Sequence, residues 1–217
     1  MRPDFATLSA LPDPPVEEIA LALAAELRET DREGALERLD ALGEELAAQA
    51  ATEPVDEALA CAEVLGGRHG LTGDQADYDN PRNSMLDVVL ARGCGLPIAL
   101  SVVYVAAARR AGIPIGGVGL PGHFVVAHFG TTPPLVLDPF RGGVTVEVDA
   151  GTAQFVRPWS PHEIALRMLN NLVPGYARRA RLGEAILAAR LRLALPVPAG
   201  ERARLEAEVM ALEARLN

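Results

Sequence analysis

The chain contains no lysine, so all 20 of its basic residues are arginine. A phosphate loop uses a lysine, so the dense glycines between Gly116 and Gly122 do not predict one. The formal net charge is −9, and the basic residues form no long run. An acidic chain of this kind has no electrostatic footprint for nucleic acid or anionic membranes. We interpret the longest basic cluster, Arg178, Arg179 and Arg181, as the solvated face of a helix.

Cysteines and long apolar runs are also scarce. Cys61 and Cys94 are too few for a disulfide framework. No uninterrupted apolar run approaches the ~20 residues of a membrane span, and the first residues lack the apolar core of a signal peptide. We therefore expect a reduced, cytoplasmic, soluble protein with neither a membrane nor a nucleic-acid partner. Aromatic residues are 4% of the chain against 49% hydrophobic residues, which predicts an aliphatic, helix-rich core.

Hydrophobic periodicity predicts an α+β protein with three regions. Helical spacing dominates residues 1–69 and favours an N-terminal bundle. A mixed core is expected over residues 70–158, where a buried central helix packs on an antiparallel sheet. Helical spacing returns over residues 159–217. The three regions are our predicted domain organisation.

Start and stop signals set the expected N-terminal elements. Residues 1–14 are punctuated by prolines and are expected to be irregular. The first helix begins at Pro15, and Asp31 is a plausible N-cap for the second. A third helix is expected from about Val55 to Leu65, with a stop at Gly66-Gly67.

The core region begins with a turn-rich segment, residues 70–82, followed by a capping box at Ser84–Asp87. The next helix, from Pro97 to Gly112, is apolar nearly all round, which is typical of a helix buried inside a domain. The hydrophobic period then changes from helix to strand. The expected strands are Ile115–Leu120, His123–Phe129, Leu135–Leu137 and Val144–Val148.

The C-terminal region opens on a strong helix start. Ser160 is the N-cap, Pro161 is the first helical residue and Glu163 completes a capping box. The following segments predict a helical hairpin or short bundle, and they resemble a tetratricopeptide-type helix pair. One such pair is too little to establish a repeat array.

Two residues in the predicted sheet suggest acid–base chemistry. His123 starts one apolar strand, and Asp138 ends the next. If the strands pair, the carboxylate can accept a hydrogen bond from one imidazole nitrogen and leave the other as a base. Spacing alone favours the alternative, a buried histidine satisfied by an aspartate in a turn.

Several short motifs follow one another between Leu59 and Gly143. They are Asp79–Ser84 with Leu86, Gly95–Ile98, Gly112–Pro114, Gly119–Phe124 and Asp138–Phe140. In this order the motifs resemble the SirB1 family, a branch of the transglutaminase-like superfamily. The resemblance implies a cysteine-protease-like core, a buried helix against an antiparallel sheet, with His123 and Asp138 at the superfamily's His and Asp positions.

The resemblance also implies a missing nucleophile. Active members carry a thiol fifteen residues before the glycine of a motif like Gly112–Pro114, and that position is Pro97 in this chain. Proline supplies neither a sulfur for attack nor a backbone N–H for an oxyanion. We therefore expect a non-catalytic module that binds or scaffolds a protein or peptide. The alternative is a thiol acyltransferase or amide hydrolase that uses Cys94, His123 and Asp138.

A polar loop precedes the core helices, and its role has two open interpretations. Tyr78, Asn80, Arg82 and Asn83 could line the mouth of the ancestral cleft together with Pro97, or they could tie the loop to backbone carbonyls. His123 and His128 lie five residues apart on one strand and so face opposite sides of the sheet. We predict no metal site and no cofactor.

Overall fold

The N-terminal third of the chain is helical, as its periodicity predicts. The computed structural model describes residues 2–216. Asp31 caps its helix as expected, because its side chain accepts a hydrogen bond from the backbone of Gly34. The α-helices of this part are α1 (Phe5–Ser9), α2 (Val16–Leu27), α3 (Arg32–Ala47) and α4 (Pro54–Cys61).

The expectation of an irregular start is wrong. The helix α1 forms there because the Asp4 side chain accepts from the backbone N–H of Thr7 at 2.8 Å. Phe5 and Leu8 are then buried in the main core. The helix lies in the proline-punctuated segment, and its single turn is stabilised by burial rather than by its own length.

The predicted stop at Gly66-Gly67 is also wrong. After α4 the chain continues as a π-helical segment, Ala62–Arg68, which passes through both glycines. A Cβ atom on Gly66 would overlap the backbone carbonyl of Gly142. Glycine is needed here so that two backbones can approach each other, and it does not end the helix.

We predict that Gly66→Ala lowers the free energy of unfolding by roughly 2–3 kcal/mol, because the overlap is with rigid backbone. Gly67→Ala is the matched control, since its Cβ would meet only the end of the Glu63 side chain. Urea unfolding of both variants measures the difference. Equal stability of the two variants would contradict the backbone contact.

The region before the central helix differs from the expected capping box. Ser84 ends a 3-10 helix, Pro81–Ser84, and α5 (Leu86–Arg92) starts after Met85 with no side-chain cap. The Asp87 carboxylate instead accepts from Arg28, the residue that follows α2, at 2.6 Å. A short parallel pair, β1 (Thr72–Gly73) with β2 (Cys94–Gly95), interrupts the expected loop.

The central helix and the sheet match the prediction closely. The helix α6 (Pro97–Arg110) is buried along most of its length, and the sheet is antiparallel in the order β3-β4-β5-β6. Its strands are β3 (Ile115–Leu120), β4 (His123–His128), β5 (Leu135–Asp138) and β6 (Val144–Val146). Phe124 and Val126 of β4 face the main core, and the alternate residues Val125 and Ala127 face a second, smaller apolar cluster.

The C-terminal helices begin at the predicted capping box, where Ser160 and Glu163 satisfy each other's backbone N–H groups. The helices are α7 (Pro161–Arg178), α8 (Leu182–Leu191) and α9 (Ala199–Glu213). This arrangement confirms the α+β fold class with C-terminal helices. The main core draws residues from every predicted region, and the division into three domains stays a prediction.

Arg178 and Arg181 of the arginine cluster are exposed, as expected for a solvated face, and Arg179 is half-buried. Arg178 forms an ion pair with Asp79 at 2.8 Å, and Arg179 pairs with Asp77 and donates to the Asp79 carbonyl. These contacts fasten the C-terminal end of α7 to the loop that precedes α5. Arg181 instead pairs with Glu184 on its own helix.

Candidate functional site

The imidazole of His123 and the carboxylate of Asp138 meet where β4 begins and β5 ends. Nε2 of the ring lies 3.0 Å from Oδ2 of the carboxylate. The Asp138 side chain is 1% exposed, whereas that of His123 is 33% exposed. The contact expected from the order of the strands is therefore present, with the ring open to solvent and the carboxylate buried behind it.

Further contacts hold the Asp138 carboxylate. Its Oδ1 accepts from the backbone of Phe140 at 3.0 Å, and its Oδ2 also accepts from Nε of Arg141 at 2.7 Å. Burial raises the pKa of Asp138, but the hydrogen bonds from His123 and Arg141 outweigh burial and hold that pKa below its usual range. A charged carboxylate only accepts, so Nε2 of His123 carries a hydrogen and Nδ1 is left for another partner.

Three aromatic rings, which we call the aromatic wall, lie beside the Asp138 carboxylate. They belong to His123, Phe140 and Tyr78. Phe140 makes edge-to-face contacts with both other rings, at centroid distances of 6.3 Å and 5.8 Å. The Phe140 ring also covers Gly73, where any side chain would overlap it. The 48% exposed ring of Tyr78 forms the outer end of the wall.

Pro97 occupies the first position of α6 and is buried. The N–H of the preceding residue, Leu96, donates to the carbonyl of Asn83 at 2.9 Å, so it is already used. Gly95, two residues before Pro97, pairs with Gly73 under the Phe140 ring. The start of α6 therefore lies beside the aromatic wall, but its first residue offers neither a nucleophile nor a hydrogen-bond donor.

Cys94 lies in β2, opposite Thr72, and is half-buried. Among the side-chain hydrogen bonds of residues 2–216, none joins its sulfur to His123, whose Nε2 contacts Asp138. The structure brings together the His and Asp of the proposed triad and leaves the thiol in the short strand β2. A role for Cys94 as nucleophile stays a prediction.

The polar loop before α5 is held mainly by its own side chains. Asn83 is fully buried, donates to the carbonyl of Asp77 at 2.8 Å and accepts from Arg92 at 2.9 Å. The Asn80 side chain accepts from the backbone of Arg82 at 3.0 Å, which caps the 3-10 helix. These contacts favour the structural interpretation for both asparagines. The Arg82 side chain is exposed, and Tyr78 belongs to the aromatic wall.

Sequence reasoning missed two side chains at this site. Arg141 shares an oxygen of Asp138 with the imidazole, and its position three residues after the aspartate was the available signal. Tyr104 of α6 is fully buried, and its hydroxyl has no hydrogen-bond partner within residues 2–216. Burial, with Cys61 and Asp138 nearby, raises the pKa of Tyr104, so the hydroxyl stays neutral.

Two features are absent from residues 2–216, a candidate metal cluster and a membrane-spanning helix. No three His, Cys, Asp or Glu side chains lie close enough together to hold a metal ion. No helix in this range combines the length and the apolar character needed to cross a bilayer.

Comparisons with known proteins agree with this geometry. A family model described as the transglutaminase-like superfamily matches residues 33–170. A UPF0162 protein of Xylella fastidiosa is 36% identical over 141 residues, which is 54% of this chain and 50% of that protein. A UPF0162 protein of Vibrio cholerae is 30% identical over 76 residues, covering 35% of this chain and 28% of that protein.

A more distant similarity extends to a larger protein. F-box only protein 21 of Mus musculus is 39% identical over 63 residues, which is 29% of this chain and 10% of that protein. No solved structure gives a significant match. The chain spans about half the length of the Xylella fastidiosa relative that it matches.

Proposed function

The chain belongs to the transglutaminase-like superfamily, and we propose that it is a SirB1-type member that binds a protein or peptide without catalysing a reaction on it. The observation that carries the proposal is the start of α6, where a buried proline holds the position at which active members of the superfamily carry their thiol. Acyl transfer by a superfamily thiol requires a nucleophile there, and a proline ring cannot serve as one.

The remaining groups are suited to binding. Nδ1 of His123 has no protein partner within residues 2–216 and can accept a hydrogen bond from a peptide amide. Phe140 and Tyr78 offer apolar ring surface on the same side. A peptide that lay along the aromatic wall would therefore gain both apolar contact and one directed hydrogen bond. The helices α7 and α8, whose sequences resemble a tetratricopeptide-type pair, would extend this surface.

The proposal is tested with a glutamine-containing peptide and a fluorescent primary amine as joint substrates. We expect no transfer of the amine to the peptide above the protein-free rate. Binding of the same peptide should shift the ring signals of ¹³C-labelled His123. Phe140→Ala should weaken the binding, and Tyr78→Phe, which keeps the ring, should not. Turnover in the wild-type protein would overturn the non-catalytic assignment.

Alkylation by iodoacetamide distinguishes this proposal from the alternative, a thiol enzyme that uses Cys94 as its nucleophile. Burial raises the pKa of Cys61 to about 12, so this thiol should react far more slowly than the half-buried Cys94 in either case. A faster rate at Cys94 is therefore not diagnostic by itself. We expect His123→Ala to leave the Cys94 rate unchanged within about twofold, because no hydrogen bond joins the two residues. A fall of tenfold or more would support the enzyme.

A further inference from the structure

The outer edge of β6 presents unpaired backbone groups. β6 is the last strand of the sheet, and within residues 2–216 no strand pairs with its outer side. Asp138 lies opposite Val144. Two opposite residues of an antiparallel pair either exchange both backbone hydrogen bonds or leave them to the flanking residues. The second arrangement would require an N–H on Pro139, which proline lacks, so Asp138 and Val144 exchange both bonds. Val144 and Val146 therefore direct their backbone groups toward β5. The N–H and C=O of Thr145 point away, toward the open edge.

Two grooves flank this edge, one on each face of the sheet. The first, of about 550 Å³, lies between β6 and the end of α4, and four glycines line it. The second, of about 470 Å³, lies beside Val146 and Val148 under the Pro133-Pro134 turn. Ala58 and Cys61 of α4 belong to the main core, whereas Val146 and Val148 pack on the smaller cluster across the sheet. The grooves therefore lie on opposite faces.

This arrangement fits an added β-strand. Neighbouring side chains of a strand point to opposite faces of a sheet, so one strand beside β6 would place side chains into both grooves. Leu59, at the first groove, is 48% exposed, so apolar side-chain surface is available to such a strand. The unpaired backbone of Thr145 would supply the hydrogen bonds that hold such a strand.

The charges on the groove walls indicate the chemistry of the partner. Glu63 lines the first groove, where Arg68 lies 3.6 Å from its carboxylate. Glu147 lines the second groove and forms no ion pair within residues 2–216, and no arginine of this range lines either groove. A second copy of this acidic chain would place like charges opposite each other, which is unfavourable. We propose that the β6 edge captures an extended segment of another protein, with apolar side chains on both faces and basic residues at its ends. This site is separate from the aromatic wall.

The experiment uses a fluorescein-labelled eight-residue peptide with arginine at each end, threonine inside, and leucine at the third and sixth positions. Leucines three residues apart point to opposite faces of a strand. The wild-type protein and Thr145→Val should bind this probe, as measured by fluorescence anisotropy. Thr145→Pro, which removes the outward N–H and is compatible with an edge strand, should weaken binding at least tenfold. His123→Ala should leave the affinity unchanged.

Two further probes keep the test decisive if Thr145→Pro fails to fold. A peptide of the same composition with its leucines four residues apart, on one face, should bind wild-type protein more weakly. A probe that is N-methylated on the amides facing β6 should not bind. Absence of binding by wild-type protein, or equal affinity for all three probes, would overturn the proposal. A concentration-dependent dimer that Thr145→Pro abolishes would assign the edge to a second copy instead.

Discussion

Replacing Asp138 with alanine lowers the free energy of unfolding by roughly 2–3 kcal/mol, the largest loss we expect from a single change at the site. The N–H of Phe140 loses its acceptor, His123 loses a hydrogen-bond partner, and Arg141 loses its counter-charge. Removing one member of a fully buried pair costs about 3–5 kcal/mol. We expect less here because His123 and Arg141 reach solvent and are screened. Urea unfolding at neutral pH provides the measurement.

Lowering the pH gives an independent check of the same carboxylate. The pKa of Asp138 in the folded protein lies below its usual value, so its stabilising contribution is present above the unfolded pKa, about 3.9. That contribution is lost as the pH falls through the lower folded pKa. The stability difference between wild type and Asp138→Ala should therefore narrow below about pH 4. Arg141→Ala, which removes only an exposed partner, is the matched control and should cost under about 1 kcal/mol.

Introducing a thiol with Pro97→Cys should create the most reactive cysteine of the chain. A cysteine at the first position of α6 lies at the positive end of the helix, which favours the thiolate. In a Cys94→Ser background it should react with iodoacetamide roughly 10³-fold faster than Cys61, whose pKa of about 12 leaves very little thiolate at neutral pH. Mass spectrometry of timed alkylation measures both rates.

The dependence of this new thiol on His123 tests the geometry of the site. If the ring faces the start of α6, His123→Ala should slow alkylation of the introduced cysteine at least tenfold. Phe124→Leu, one residue along β4 and directed to the core, is the matched control and should leave the rate unchanged. If His123→Ala leaves the alkylation rate of the introduced cysteine unchanged, the His123 ring and the start of α6 do not face each other.

Features governed by neighbouring residues were predictable from the sequence. The Ser160 cap, the buried α6 and the bounds of β3 depend on local capping, composition and hydrophobic period. The contact between His123 and Asp138 was predictable too, because consecutive strands joined by a short turn pair with each other.

Features that depend on distant residues were not predictable in the same way. Arg179 pairs with Asp77, 102 residues earlier, and no local pattern carries that information. Gly66 looks like a helix terminator until the carbonyl of Gly142 is placed against it. Thr145 looks like an ordinary strand residue, and only the pairing of β6 with β5 shows which way its backbone points.

The meeting of Gly66 with Gly142 has a geometric consequence for the groove beside β6. Main chain touches main chain at this point, so the spacing between the π-helical segment and the strand does not depend on which side chains line it. Substitutions at Leu59 or Glu63 would change the selectivity of the groove while its width stayed constant. The peptide selectivity of this edge can therefore be changed by substituting the side chains of the groove, while the backbone spacing stays the same.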